Sequence, residues 1–178
     1  MCGRYASTAS PTQLAEEFEV DDVFDDLPGP DYNVAPTVAV PAVFERLVKR
    51  PGPVSSSGPV SSLDSVNSSG PVSSLGSGES GEVRRRLAPL VWGLVPSWAK
   101  DAGIGARMIN ARVETVAEKS AYAKAFRARR CLLPADGFYE WHTPDPPSPT
   151  AGRRSAKPRK QPFFLHRADG GRLVMAGI

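Results

Sequence analysis

Residues 52–81 set the first limit on what this chain can fold into. The pentapeptide Gly-Pro-Val-Ser-Ser occurs three times, at 52–56, 58–62 and 70–74, and the tract as far as Gly81 holds almost no large side chain. Ordering a residue costs about 1–2 kcal/mol of backbone entropy, and a tract of this composition buries too little surface to offset it. It therefore reads as a flexible insertion. Solenoid repeats are the rival reading, but units of six or twelve residues without a core-forming pattern do not build one. A second tract, rich in Pro, Arg and Lys, follows Thr143. We expect one domain spanning 1–178, with flexible insertions at about 51–82 and 143–161. The first insertion should join neighbouring strands, one ending near Arg50 and the next starting near Val83.

The remaining segments read as a β-rich α+β fold with a few helices. Residues 11–20 carry apolar Leu14, Ala15 and Phe18 behind a Ser or Pro start signal, the pattern of a short amphipathic helix. Strands are expected at Val38–Phe44, Leu87–Val95, Ile109–Val113, Cys131–Pro134 and Gly137–Trp141. Thr115 is placed to cap a helix reaching Phe126. Pro162–His166 and Arg172–Ile178 flank Ala168-Asp169-Gly170-Gly171, which predicts a β-hairpin.

Hydrophobic residues form 40% of the 178, an ordinary globular share. No apolar run approaches the roughly 20 residues of a membrane helix, and the N-terminus carries no secretory signal pattern. A cytoplasmic protein without membrane attachment is expected, nucleoid-associated if bacterial. Its two cysteines, Cys2 and Cys131, are then free thiols. Charge is uneven: residues 1–90 hold 7 Lys and Arg against 12 Asp and Glu, and residues 91–178 hold 15 against 7. A basic half suits a polyanion such as nucleic acid, and it equally suits a solvated surface with a basic linker at Arg153–Lys160.

Cys2 directly follows the initiator methionine and is small enough for Met1 to be removed. The mature terminus would then carry a thiol and a free α-amine on adjacent carbons. Reference pKa values of about 7.7–8.0 for the amine and about 8.5 for the thiol leave both with usable nucleophilic fractions near neutrality. The amine adds to an aldehyde to give an imine, and the thiol closes on that imine to give a thiazolidine. Position alone equally allows an incidental cysteine near a frayed terminus.

Four segments extend the pattern: Met1–Tyr5, Tyr32-Asn33-Val34-Ala35-Pro36-Thr37, Ile109-Asn110-Ala111-Arg112-Val113-Glu114-Thr115, and Pro134-Ala135-Asp136-Gly137-Phe138-Tyr139-Glu140-Trp141. With Trp92-Gly93-Leu94-Val95-Pro96-Ser97-Trp98, this ordered set resembles the SOS response-associated peptidase (SRAP) family, the abasic site processing proteins. The resemblance implies a β-rich fold with flanking helices, binding of single-stranded DNA, and a thiazolidine crosslink between Cys2 and the open-chain aldehyde of an abasic site. It places Asn110 and Glu140 beside Cys2 as catalytic residues: Asn110 holds the opened sugar or the amine, and Glu140 moves protons. It places Arg4 and Arg112 on phosphates, Pro36 beside the displaced bases and Trp98 near the DNA face. No organic cofactor and no metal are implied, and a monomer is expected. The family name implies peptidase-type chemistry, here the removal of Met1.

Each residue has a structural reading beside the functional one. Asn110 suits a turn, Arg112 a surface ion pair, and Trp92 and Trp98 a core. If the strand buries Tyr139 and Trp141, Glu140 faces the opposite side by alternation. Cys131 reads as a buried cysteine. The resemblance also implies a chain that stops short, because the family continues into a segment carrying a catalytic histidine that neither His142 nor His166 matches. Loss of sheet partners would leave an exposed edge. Two other functions fit the same residues: a thiol peptidase acting on protein, and a noncovalent DNA-binding module or inactive remnant.

Overall fold

The computed structural model describes residues 3–49, 81–144 and 159–178. Met1 and Cys2 lie outside the described residues, as do the interiors of both expected insertions. At the rims, Gly81 and Glu82 belong to a strand, as does Gln161.

Strand β1 (Tyr5–Ser7) precedes helix α1 (Pro11–Glu17), and the short strand β2 (Asp22–Val23) follows. Helix α1 starts where the sequence signals it, with Pro11 in its first turn. A capping box satisfies its first amides: Gln13 N donates to Ser10 Oγ at 3.2 Å, and Ser10 N donates to Gln13 Oε1 at 2.9 Å. Next come β3 (Asp31–Val34), β4 (Ala39–Lys49) and β5 (Gly81–Val91). The last two pair antiparallel in continuous register from Ala39↔Val91 to Lys49↔Gly81. This is the strand pair expected around the first insertion, longer on its inner ends than the apolar windows indicated. Its arginine-rich stretch carries no core pattern, and it lies within the strand expected to start near Val83.

A 3-10 helix (Ala102–Arg107) and α2 (Ser120–Ala128) lead to β6 (Cys131–Ala135), β7 (Gly137–His142), β8 (Gln161–His166) and β9 (Leu173–Gly177). Two sheets result, ordered β3-β1-β7-β8 and β2-β5-β4-β6-β9. Tyr5, Val34, Val40 and Ala135 are buried between them, with Trp92, Phe138 and Met175 packed alongside. On the other face of the larger sheet, Leu14 of α1 is buried against Val43 and Leu87. Alternation along β4 makes this three-layer arrangement possible, with Val40 facing one layer and Val43 the other.

Three local expectations fail. Ile109–Val113 forms no strand: Ile109 O accepts the Trp92 indole N–H at 2.8 Å, and Val113 is 82% exposed. Helix α2 begins at Ser120 because Thr115 O instead accepts Glu118 N and Lys119 N in a preceding turn. The predicted hairpin is absent. β8 pairs with β7, whereas β9 pairs with β6 in the other sheet. The chain crosses between sheets at Asp136 and crosses back between His166 and Leu173.

Candidate active site

Three of the five segments are neighbouring strands. β1 lies between β3 and β7, with Tyr5 opposite Val34 on one side and Phe138 on the other. All three side chains turn into the core. Arg4 immediately precedes β1. Its carbonyl accepts Tyr139 N at 2.9 Å, and its Nη1 donates to Asn33 Oδ1 at 3.1 Å. Cys2 stands two peptide links before Arg4.

The other two segments are tied to the same point through Trp92. Its ring meets that of Tyr5 edge-on, at a centroid distance of 5.3 Å. Its backbone exchanges hydrogen bonds with the Pro36 turn, Thr37 N donating to Trp92 O at 2.8 Å and Trp92 N to Val38 O at 3.0 Å. Its indole holds Ile109 O, and Leu94 N donates to Met108 O at 3.1 Å, which fixes the backbone just before Asn110. Gly93 is required here. It has a φ of +135°, and a Cβ would lie 2.5 Å from Gly105 O. Trp92 thus has the core position that composition favours, but it also organises the site.

Asn110 is exposed, in the loop before α2, and its carbonyl accepts the Tyr122 hydroxyl at 3.4 Å. Arg112 is exposed two residues later. Pro36 lies in the turn between β3 and β4. Trp98 is 58% exposed in a turn closed by Ala99 N donating to Pro96 O. Trp98 therefore lies outside the core, unlike Trp92.

The faces of β7 are the reverse of the arrangement with buried aromatics. Phe138 packs inward, so alternation puts half-buried Glu140 on that same inward face. Tyr139 and Trp141 face outward. Trp141 is 43% exposed, and the Tyr139 hydroxyl donates to Tyr32 O at 2.9 Å. His142 and His166 are both exposed, and the His166 ring stacks on Phe164 at 5.8 Å. Sequence reasoning gave no role to Tyr5 or Asp136 and read Trp92 only as core. Their signal was membership of the five segments.

Among the described residues no group of three His, Cys, Asp or Glu side chains could hold a metal ion. None of their helices is long and apolar enough to cross a membrane. A groove of about 760 Å³ lies elsewhere, lined by Val43, Leu132, Cys131 and Ile178 and by no residue of the five segments. Cys131 is half-buried there, and burial raises its thiol pKa while Arg46 opposes the rise.

An α+β protein whose first strand lies inside a sheet, between β3 and the strand that carries Glu140, is the class defined by this geometry. The chain belongs to the SOS response associated peptidase (SRAP) family, whose pattern matches residues 1–178. It is 34% identical over 142 residues to the abasic site processing protein YoaM of Bacillus subtilis, an alignment covering 79% of this chain and 47% of the relative. It is 29% identical to YedK of Escherichia coli, also an abasic site processing protein, covering 100% of this chain and 59% of that one. The chain thus spans about half the length of the curated relatives it matches. A crystal structure of a Bacteroides thetaiotaomicron protein shares the fold at a TM-score of 0.58 and 17% identity, covering 98% of this chain and 58% of that one.

Proposed function

We propose that the protein senses abasic sites in single-stranded DNA and captures them covalently through Cys2 once Met1 has been hydrolysed away. The α-amine attacks the aldehyde carbon of the ring-opened sugar, and loss of water gives an imine. The Cys2 sulfur then adds to the imine carbon, and its proton passes to nitrogen, closing a thiazolidine without any oxidant. Glu140, on the inward face of the strand beside β1, shuttles protons during ring opening and imine formation. Asn110 orients the sugar or the amine. Arg4 and Arg112 take phosphates, and Pro36 and exposed Trp98 border the bases. The protein acts as a cytoplasmic monomer without a cofactor.

One observation carries this reading. The described parts of the five segments, scattered from residue 3 to residue 141, are joined around the Tyr5–Trp92 contact, in a family whose named relatives process abasic sites.

The test mixes the protein with single-stranded DNA bearing one abasic site and resolves the product on a denaturing gel. A shifted band is expected, lost in Cys2→Ala, with intact mass showing Met1 absent. Glu140→Gln should slow adduct formation by about 100-fold or more. Asn110→Ala should also slow it, and Arg112→Ala should mainly weaken DNA affinity. Salt-sensitive binding with no adduct would leave only a noncovalent binder. Cleavage of unrelated peptides, lost in Cys2→Ala, would make it a thiol peptidase.

A further inference from the structure

Asp136 belongs to one of the five segments, yet capture as described gives it no part. It occupies the corner where the chain passes from β6 in one sheet to β7 in the other. Both of its carboxylate oxygens are engaged. Oδ2 accepts both Thr8 N at 2.8 Å and the Thr8 hydroxyl at 2.7 Å, and Oδ1 accepts Arg172 Nη1 at 2.7 Å. Arg172, at the return crossing, also donates through Nε to Glu17 Oε2 at 2.9 Å. Two further bonds join the corner to β1. Asp136 N donates to Ala6 O at 2.8 Å, and the buried Ser7 hydroxyl donates to Pro134 O at 3.2 Å.

This concentration of bonds has a mechanical reason. β1 has only three residues, its ladder with β7 is Tyr5↔Phe138 and Ala6↔Gly137, and its register with β3 shifts between Tyr5 and Ser7. β1 is buried along its whole length, and a slip of one residue would turn every side chain to the other face. The charge-assisted clasp on Thr8 adds a fixed point at the end of this short strand.

We infer that Asp136 is a positioning residue that locks β1 in register against β7 and thereby sets where the N-terminal aminothiol meets Glu140. Its effect on chemistry rests on the capture reading; its hold on the strand does not. Arg172 keeps the carboxylate in place, and Thr8 transmits the constraint to the strand. Misplacing reacting groups by about 1 Å can cost on the order of 100-fold in rate.

The test compares the parent with Asp136→Asn, with Thr8→Val, which leaves the Asp136–Arg172 pair intact, and with Thr8→Ser, which restores the hydroxyl. All are assayed well below their melting temperatures. Asp136→Asn and Thr8→Val should slow adduct formation at saturating abasic DNA by roughly 10- to 100-fold. Affinity for undamaged single-stranded DNA should not change. Amide exchange at Tyr139, whose N–H donates to Arg4 O, should accelerate in both, and Thr8→Ser should return to parent values. Unchanged Tyr139 exchange in Asp136→Asn and Thr8→Val overturns the inference, as does faster exchange with an unaltered adduct rate. If the parent forms no adduct, the capture reading fails, and the exchange measurement still decides whether Asp136 holds the strand.

Discussion

Thr37 has a φ of +71°, a left-handed conformation that a β-branched residue rarely adopts. It follows Pro36 in the turn that its own N–H ties to Trp92 O, so the strain sits inside one of the five segments. Such strain costs on the order of 1–3 kcal/mol and persists only where surrounding contacts enforce it. Thr37→Asn, which tolerates this conformation, should raise the unfolding free energy by roughly 0.5–1 kcal/mol. Urea denaturation measures it, and an unchanged midpoint would count against strain at this residue. Cys131 offers a second check. Its thiol pKa lies above the ordinary cysteine value because burial disfavours the thiolate. Its contribution to stability is complete below the unfolded-state pKa and declines as pH rises through the higher folded-state value. In a Cys2→Ala background, iodoacetamide at pH 7.5 should alkylate Cys131 more slowly than free cysteine, with the difference vanishing in urea.

At the scale of elements, what could be read from sequence followed local physics. Helix α1 was legible because Ser10, Pro11 and Gln13 form its start signal within four residues. Ser10→Ala should cost about 1 kcal/mol, seen as a lower thermal midpoint. β6 and β7 were legible from short apolar windows closed by Asp136-Gly137. The β8–β9 hairpin was misread because a turn sequence reports only that the chain reverses, not which sheet receives each strand. Ile109–Val113 looked like a strand from its composition, but its backbone is committed to the Trp92 indole and the loop before α2. As for the site, the five segments marked its residues in sequence, but the Tyr5–Trp92 contact that joins them spans 87 positions and leaves no local pattern. Gly137 is a further element-level constraint, since a Cβ there would lie 2.5 Å from Leu165 O and from the Phe164 ring. Gly137→Ala should therefore weaken the β7–β8 pairing and destabilise by about 1–3 kcal/mol. Hydrogen exchange along β8 reads this directly.

Across the whole molecule, the uneven charge of the two halves has a structural counterpart. Arg84, Arg85 and Arg86 on β5 look like a basic patch in sequence, yet they are taken up by acidic partners. Arg84 forks onto Asp22 at 2.6 and 3.0 Å, Arg85 meets Glu45 at 3.1 Å, and Arg86 lies 3.4 Å from Asp22. Arg84 and Arg86 share Asp22 and so fasten β2 to β5, while Arg85 bridges to Glu45 on β4. Arg84→Ala should therefore leave DNA affinity and its salt dependence unchanged in fluorescence anisotropy, whereas Arg112→Ala should weaken binding and flatten the salt slope. A comparable loss from both would mean that the β5 arginines also face DNA.

Because β1 is flanked by β3 and β7, a load on the N-terminus is borne by neighbours on both sides. If that terminus is bonded to a DNA strand, a motor translocating along the strand pulls on β1 lengthwise. The hydrogen bonds on its two flanks are then strained together in shear, and cannot be peeled one at a time as at a sheet margin. Dislodging the protein by traction should therefore require unravelling its centre first.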